Sequence, residues 1–298
     1  MKNSKIWTIA LYEMLPFLRS KLFKFATFFY ICILSFFNLR DFFWIGSWQD
    51  RAIASSIAYT NVILLNVLQA IVVVFAVMHC AKNDTNNSTD SLYPRSFSNI
   101  EYIIGKMLGI SIPIIALNIF VLICSIIATV VFIDDVSPAL SSYFIYFLLI
   151  SMPTFVFIFG LSSFTAGVLR SQGLTATVLI VYLVGSLVYL KNNTYHLFDC
   201  VGWNVPFMYS TFTGFGNVAS VVLHRSMYLF LGIGFIFASV FLYRRLPQSK
   251  TWQRISINAI WICFFAAIVL GVCYVGGFTE GRALREKMRT INNEYKEN

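Results

Sequence analysis

Apolar runs of roughly bilayer-crossing length alternate with short polar stretches along the whole chain. A spanning helix needs about 20 mostly apolar residues. Seven runs meet or approach that length: Leu22 to Leu39, Ile57 to Met78, Ile103 to Ile133, Tyr143 to Leu169, Leu174 to Leu190, Ser226 to Tyr243, and Ile257 to Gly276. The third and fourth are longer than needed, so they are expected to tilt, bend or project, with Pro113 and Pro153 as kink points. Before the first run, Trp7, Leu11, Met14 and Leu18 recur at three- and four-residue spacing between Lys2, Lys5, Arg19 and Lys21. Glu13 and Pro16 suit a bilayer core poorly, so this stretch predicts an amphipathic helix lying in the headgroup region. The expected fold is all-α: a polytopic transmembrane bundle of six to seven spans with an N-terminal interfacial amphipathic helix.

Composition supports the pattern. Of 298 residues, 58% are hydrophobic and only 12% charged, against about 25% charged in an ordinary soluble domain. That excludes a disordered chain, a disulfide scaffold and a nucleic-acid-binding domain. The net charge of +9 then reads as topology. With the N-terminus placed in the cytoplasm, 13 basic residues fall on inside segments and four, Arg40, Arg51, Lys191 and Arg225, on outside loops. Five more lie in the last 20 residues, which a seventh span would place outside. Two explanations are open for them: an extracytoplasmic helix that translocates despite its charge, or a last apolar run that re-enters and leaves the tail inside. Two links are longer than topology requires, one from Ala81 to Asn99 and one from Lys191 to Arg225. The second is rich in glycine and aromatics and suits re-entrant or interfacial elements.

Groups for catalysis are sparse. Neither a zinc-binding H-E-x-x-H helix nor a phosphate-binding G-x-x-x-x-G-K-[ST] loop occurs. The six cysteines include no C-x-x-C pair, so no metal site is expected; Cys200 falls in the outer loop without an obvious partner. His196 and His224 read as polar anchors in that loop. Ser162 superficially resembles an intramembrane protease serine, but Gly160, Ser162, Ser163, Ala166 and Gly167 more simply allow close helix approach. Asn61, Asn66 and Gln69 are the main polar groups of the second span and read as interhelical contacts. Charges inside the spans are almost absent, which disfavours an ion-coupled transporter. No cofactor is expected.

The stretch 90–109, DSLYPRSFSNIEYIIGKMLG, is the most informative. Ser98 and Glu101 form a capping box that starts a helix, and Gly105-Lys106 follows one turn later. This segment resembles the cytoplasmic loop of ABC transporter permeases of the type-2 exporter class, through Pro94, Ser96 or Ser98, Glu101, Gly105 and Lys106. KNDTNNSTD stands where that family often has a charged stretch. Residues 1–245 resemble the family's six-span layout; residues 246–298 hold an extra span and a charged tail. The resemblance implies a non-enzymatic membrane subunit in a bacterial inner membrane, with its N-terminus cytoplasmic. It implies pairing with a second permease subunit and docking of a separate ABC ATPase. The docking residues would be Asp90, Pro94, Arg95, Ser96, Ser98, Glu101, Gly105 and Lys106. The competing expectations are a non-transporting membrane scaffold and an intramembrane hydrolase built on Ser162.

Overall fold

The computed structural model describes residues 2–43, 54–86, 99–132, 140–189, 196–205, 207, 209–210, 214–242 and 250–297. The chain is almost wholly helical: α1 (Lys2–Arg19), α2 (Lys21–Phe43), α3 (Ala54–Asn86), α4 (Asn99–Phe132), α5 (Leu140–Tyr146), α6 (Met152–Leu169), α7 (Gln172–Val188), α8 (Val218–Leu242) and α9 (Lys250–Glu297). Among the described residues, five stretches are long and apolar enough to cross a bilayer: Ala58–Cys80, Glu101–Ile127, Leu140–Leu169, Val218–Leu242 and Gln253–Gly277. The apolar helix α7 is shorter. The first expected run forms α2. The protein is thus a helical, multi-pass membrane-embedded chain.

The helices meet where glycines remove the side chains that would keep them apart. On α6, Gly160 lies against the Gly232 carbonyl of α8, and a Cβ on Gly232 would stand 2.6 Å from the Phe157 nitrogen. The small-residue face expected around Gly160 therefore packs on α8. Gly105 and Gly109 of α4 receive α1 in the same way: a Cβ on Gly105 would sit 2.8 Å from Ile9 Cβ, and one on Gly109 would sit 2.7 Å from the Ala10 carbonyl oxygen. Of the expected α1 stripe, Trp7 and Leu18 are exposed and Leu11 and Met14 half-buried; the buried positions of α1 are instead Ala10 and Phe17. A sharp joint separates α1 from α2, where Ser20 Oγ accepts the Phe23 N–H at 3.1 Å and caps the second helix. At the centre of the bundle lies α3, whose apolar stretch is 72% buried against 17% for that of α9.

The backbone bears on three expectations. The fourth run is broken by a π-helical turn, Phe147–Ser151, between α5 and α6. Pro153 follows directly, and its missing N–H cannot bond the carbonyl four residues back, so the wide turn absorbs the mismatch. The sixth helix begins at Val218, eight residues before the expected Ser226, and shortens the link expected from Lys191 to Arg225. Finally, α9 is one uninterrupted helix of 48 residues, about 72 Å long, with no re-entrant turn. It runs antiparallel along α8, with Gly271 against Met227, Gly234 against Phe264, and the Tyr274 ring 4.8 Å from that of His224.

Candidate functional site

Residues 196–205, between α7 and α8, form an irregular segment packed inside the bundle. Backbone at that depth has no water to bond, so protein groups must satisfy it. The side chains that do so come from α3, α6 and α8. Arg225 is the chief of them, 1% exposed and one of the largest fully buried side chains. Its Nη2 donates to the Asp199 carbonyl at 2.8 Å, and its Nη1 to the Cys200 carbonyl and Thr154 Oγ1, both at 3.2 Å. Next to it, His224 Nε2 lies 3.1 and 3.3 Å from the His196 and Leu197 carbonyls. Two acceptors facing Nε2 require the proton there. That leaves Nδ1 to accept from Arg225 Nη2 at 3.1 Å, so the ring is a neutral imidazole. One turn on, Tyr228 donates to the Leu197 carbonyl at 2.9 Å.

The other side of the segment is held from α3 and α6. Asn66 donates to the Val201 carbonyl and, at 3.1 Å, to Thr154 Oγ1. Gln69 donates to Asn66 Oδ1 and to the Ser151 carbonyl at 2.8 Å, while accepting from Asn118 Nδ2 of α4 at 2.6 Å. Tyr59 closes the end of the segment nearest the α3 N-terminus with a 2.6 Å bond to the Val205 carbonyl. Four helices thus share one buried polar ladder, Asn118–Gln69–Asn66–Thr154–Arg225–His224. Ala58 to Asn66 spans eight residues of α3, so the segment reaches about 12 Å into the apolar stretch.

The guanidinium charge is balanced inside the same segment. The Asp199 carboxylate accepts the N–H groups of Gly202, Trp203 and Asn204 at 2.8, 3.2 and 2.7 Å and folds the segment into a tight cap. Gly202 has φ +82°, and a Cβ there would stand 2.9 Å from Arg225 Cζ. Only glycine combines that backbone with a guanidinium lying flat on it. Cys200 is fully buried, its Sγ 3.3 Å from Ser186 Oγ. Aromatics cover the segment at this end of the bundle. Tyr146, Phe207 and Phe215 pack edge-on and stacked beside a two-residue hairpin, Tyr209–Ser210 with Gly214–Phe215, and Tyr146 Oη accepts the Tyr209 N–H at 2.8 Å.

These positions correct three readings of the sequence and extend a fourth. His224 and Arg225 belong to a spanning helix, not to an outer loop. Cys200 is interior and has a partner in Ser186. Charge within the bundle is present, as Arg225 and Asp199. The amides of Asn66 and Gln69 do bond between helices, and they hold a non-helical segment as well.

Of the expected docking residues, Asp90, Pro94, Arg95, Ser96 and Ser98 lie outside the described residues. Glu101 sits in the first turn of α4, half-buried. Gly105 seats α1. Lys106 Nζ approaches the Cys80 carbonyl at 3.5 Å and lies 5.8 Å from the Tyr102 ring centre, beside a cavity of about 30 Å³ also lined by Phe159 and Ser239. Glu13 of α1 reaches the same end, accepting from Cys80 Sγ at 3.4 Å. This end of α3 lies about 32 Å from Tyr59, on the side opposite the buried segment. Ser162 is buried, and its Oγ has no hydrogen-bond partner among the described residues, whereas a serine nucleophile needs a base within reach. No family model matches the chain, and no curated protein matches it.

Proposed function

We propose that this chain is the membrane subunit of an ATP-driven exporter of the type-2 ABC class, working with a separate ATPase and a second permease subunit. One observation carries the reading: a non-helical segment is held inside one end of the bundle while the α3–α4 link leaves at the other. An exporter needs a closure on its outer side and a mechanical input on its inner side. Residues 196–205 supply the first, and the 82–101 link supplies the second. Glu101 and Lys106 sit where the link becomes α4, and α1 lies on Gly105 and Gly109 of the same helix. A displacement of the link would therefore move α1 and α4 together. In this reading α1 lies at the cytoplasmic headgroups, with Trp7, Tyr12 and Leu15 exposed toward lipid. The chain has six spans plus α9 in a bacterial inner membrane, with its N-terminus cytoplasmic. The resemblance to this class points to an amphipathic or lipid-linked substrate.

Affinity purification of the tagged chain from its own membranes tests this reading. An ATP-binding polypeptide should be retained, and Glu101→Arg should reduce its recovery. Recovery of the folded chain without any ATPase would remove the proposal.

A further inference from the structure

Buried positions of α2 recur every four residues: Ala26, Tyr30 and Leu34, of which Tyr30 and Leu34 pack into the cluster shared with α3 and α4. The opposite face is bare. Phe25, Phe28 and Phe36 are 68, 67 and 63% exposed, and exposed Lys21 and Lys24 stand at the start of the same face. Lys21 and Phe28 are seven residues apart, so they lie within about 20° of one line along the helix. Arg19, also exposed, ends α1 on the other side of the Ser20 joint. Two residues of chain hold its Cα within about 7 Å of that of Lys21. Lys24 neighbours Lys21 one turn on, at about 5–6 Å between Cβ atoms. Three cations therefore meet at one joint. No carboxylate pairs with them among the described residues, and the nearest acid in sequence, Glu13, is bonded to Cys80 Sγ. The exposed apolar faces of α7 and α9 differ: among the described side chains each starts beside one exposed cation, Arg170 and Arg254.

We propose that the α1–α2 joint and the bare face of α2 form a binding site for one anionic phospholipid. Its phosphate sits among Arg19, Lys21 and Lys24, and an acyl chain runs along Phe25, Phe28 and Phe36. Charge and length both fit that occupant. A guanidinium fork takes two oxygens of one phosphate, and the lysines add point charges beside it. Phe36 lies about 18 Å along the helix from Lys24, close to the roughly 15 Å of hydrocarbon in one leaflet. Exposed Trp7 and Tyr12 on α1 mark the headgroup level at which the cations stand. An acidic protein surface fits less well, since it would reach Lys24 only by displacing the lipid that Phe25 and Phe28 need one turn away. The site rests on reading α1 as an interfacial helix and α2 as a span, and not on transport.

Photocrosslinking of the full chain tests this. The chain is reconstituted in phosphatidylcholine vesicles carrying a trace of phosphatidylglycerol or of phosphatidylcholine with a diazirine in the acyl chain. The α2 peptide should capture the anionic tracer roughly tenfold over the zwitterionic one. High salt should reduce that excess, because the cations are exposed. Arg19→Gln/Lys21→Gln/Lys24→Gln should bring the two tracers to equal capture, while Arg254→Gln should leave the excess intact. The salt series uses the unmodified chain, so it decides the matter even if the triple variant does not fold. Equal capture of the two tracers by the unmodified chain, an anionic excess on α7 or α9 in place of α2, or an excess that survives salt or the triple substitution would overturn the proposal. None of these readouts involves an ATPase, so the proposed transport function can fail while this one stands.

Discussion

Without the Arg225 guanidinium, the Asp199 and Cys200 carbonyls would lose their donors in a buried site. Breaking such a buried network costs about 3–5 kcal/mol. Arg225→Met should therefore lower the unfolding midpoint of the detergent-solubilised chain markedly. Arg225→Lys should recover only part of the loss, because a point ammonium cannot reproduce the flat fork that serves both carbonyls and Thr154. Gly202→Ala acts on the other half of the contact, adding a Cβ at positive φ directly against Arg225 Cζ. It should dislodge residues 196–205 and make buried Cys200 react with maleimide, where the native thiol labels slowly. Asn66 and Gln69 were legible in the sequence because amides stand out in an apolar run. Arg225 was not, because the apolar run begins at Ser226 and its partners are backbone carbonyls, which leave no mark in sequence.

At the scale of helices, stability rests on close approaches at a few glycines. Gly232→Val would push a branched side chain into the Phe157 backbone and separate α6 from α8. Overpacking of this kind costs about 1–3 kcal/mol, visible as a lower melting temperature. Gly185→Val on α7 should change little, since a Cβ there meets nothing within 4 Å. The small-residue face of α6 was readable from Gly160 to Gly167. Its partner on α8 was not, because spacing shows which face is small but not which helix it meets. Helix positions were legible for the same reason that hydropathy works at all: lipid demands continuous apolar length. The π-helical turn before Pro153 and the inward path of residues 196–205 depend on tertiary hydrogen bonds, and length alone could not predict them.

Over the whole molecule, the buried segment and the α3–α4 link occupy opposite ends of α3, joined by the central helix and its amide ladder. If a partner ATPase moves the link, the segment must loosen during turnover, and Cys200 at its centre reports that loosening. The decisive measurement is maleimide labelling of Cys200 in native membranes containing the chain and the proposed ATPase, with ATP and with a non-hydrolysable analogue. Labelling that rises during ATP turnover, and remains low in the unpowered state, is the predicted result. A Cys200 that labels at the same rate with and without ATP would contradict the account.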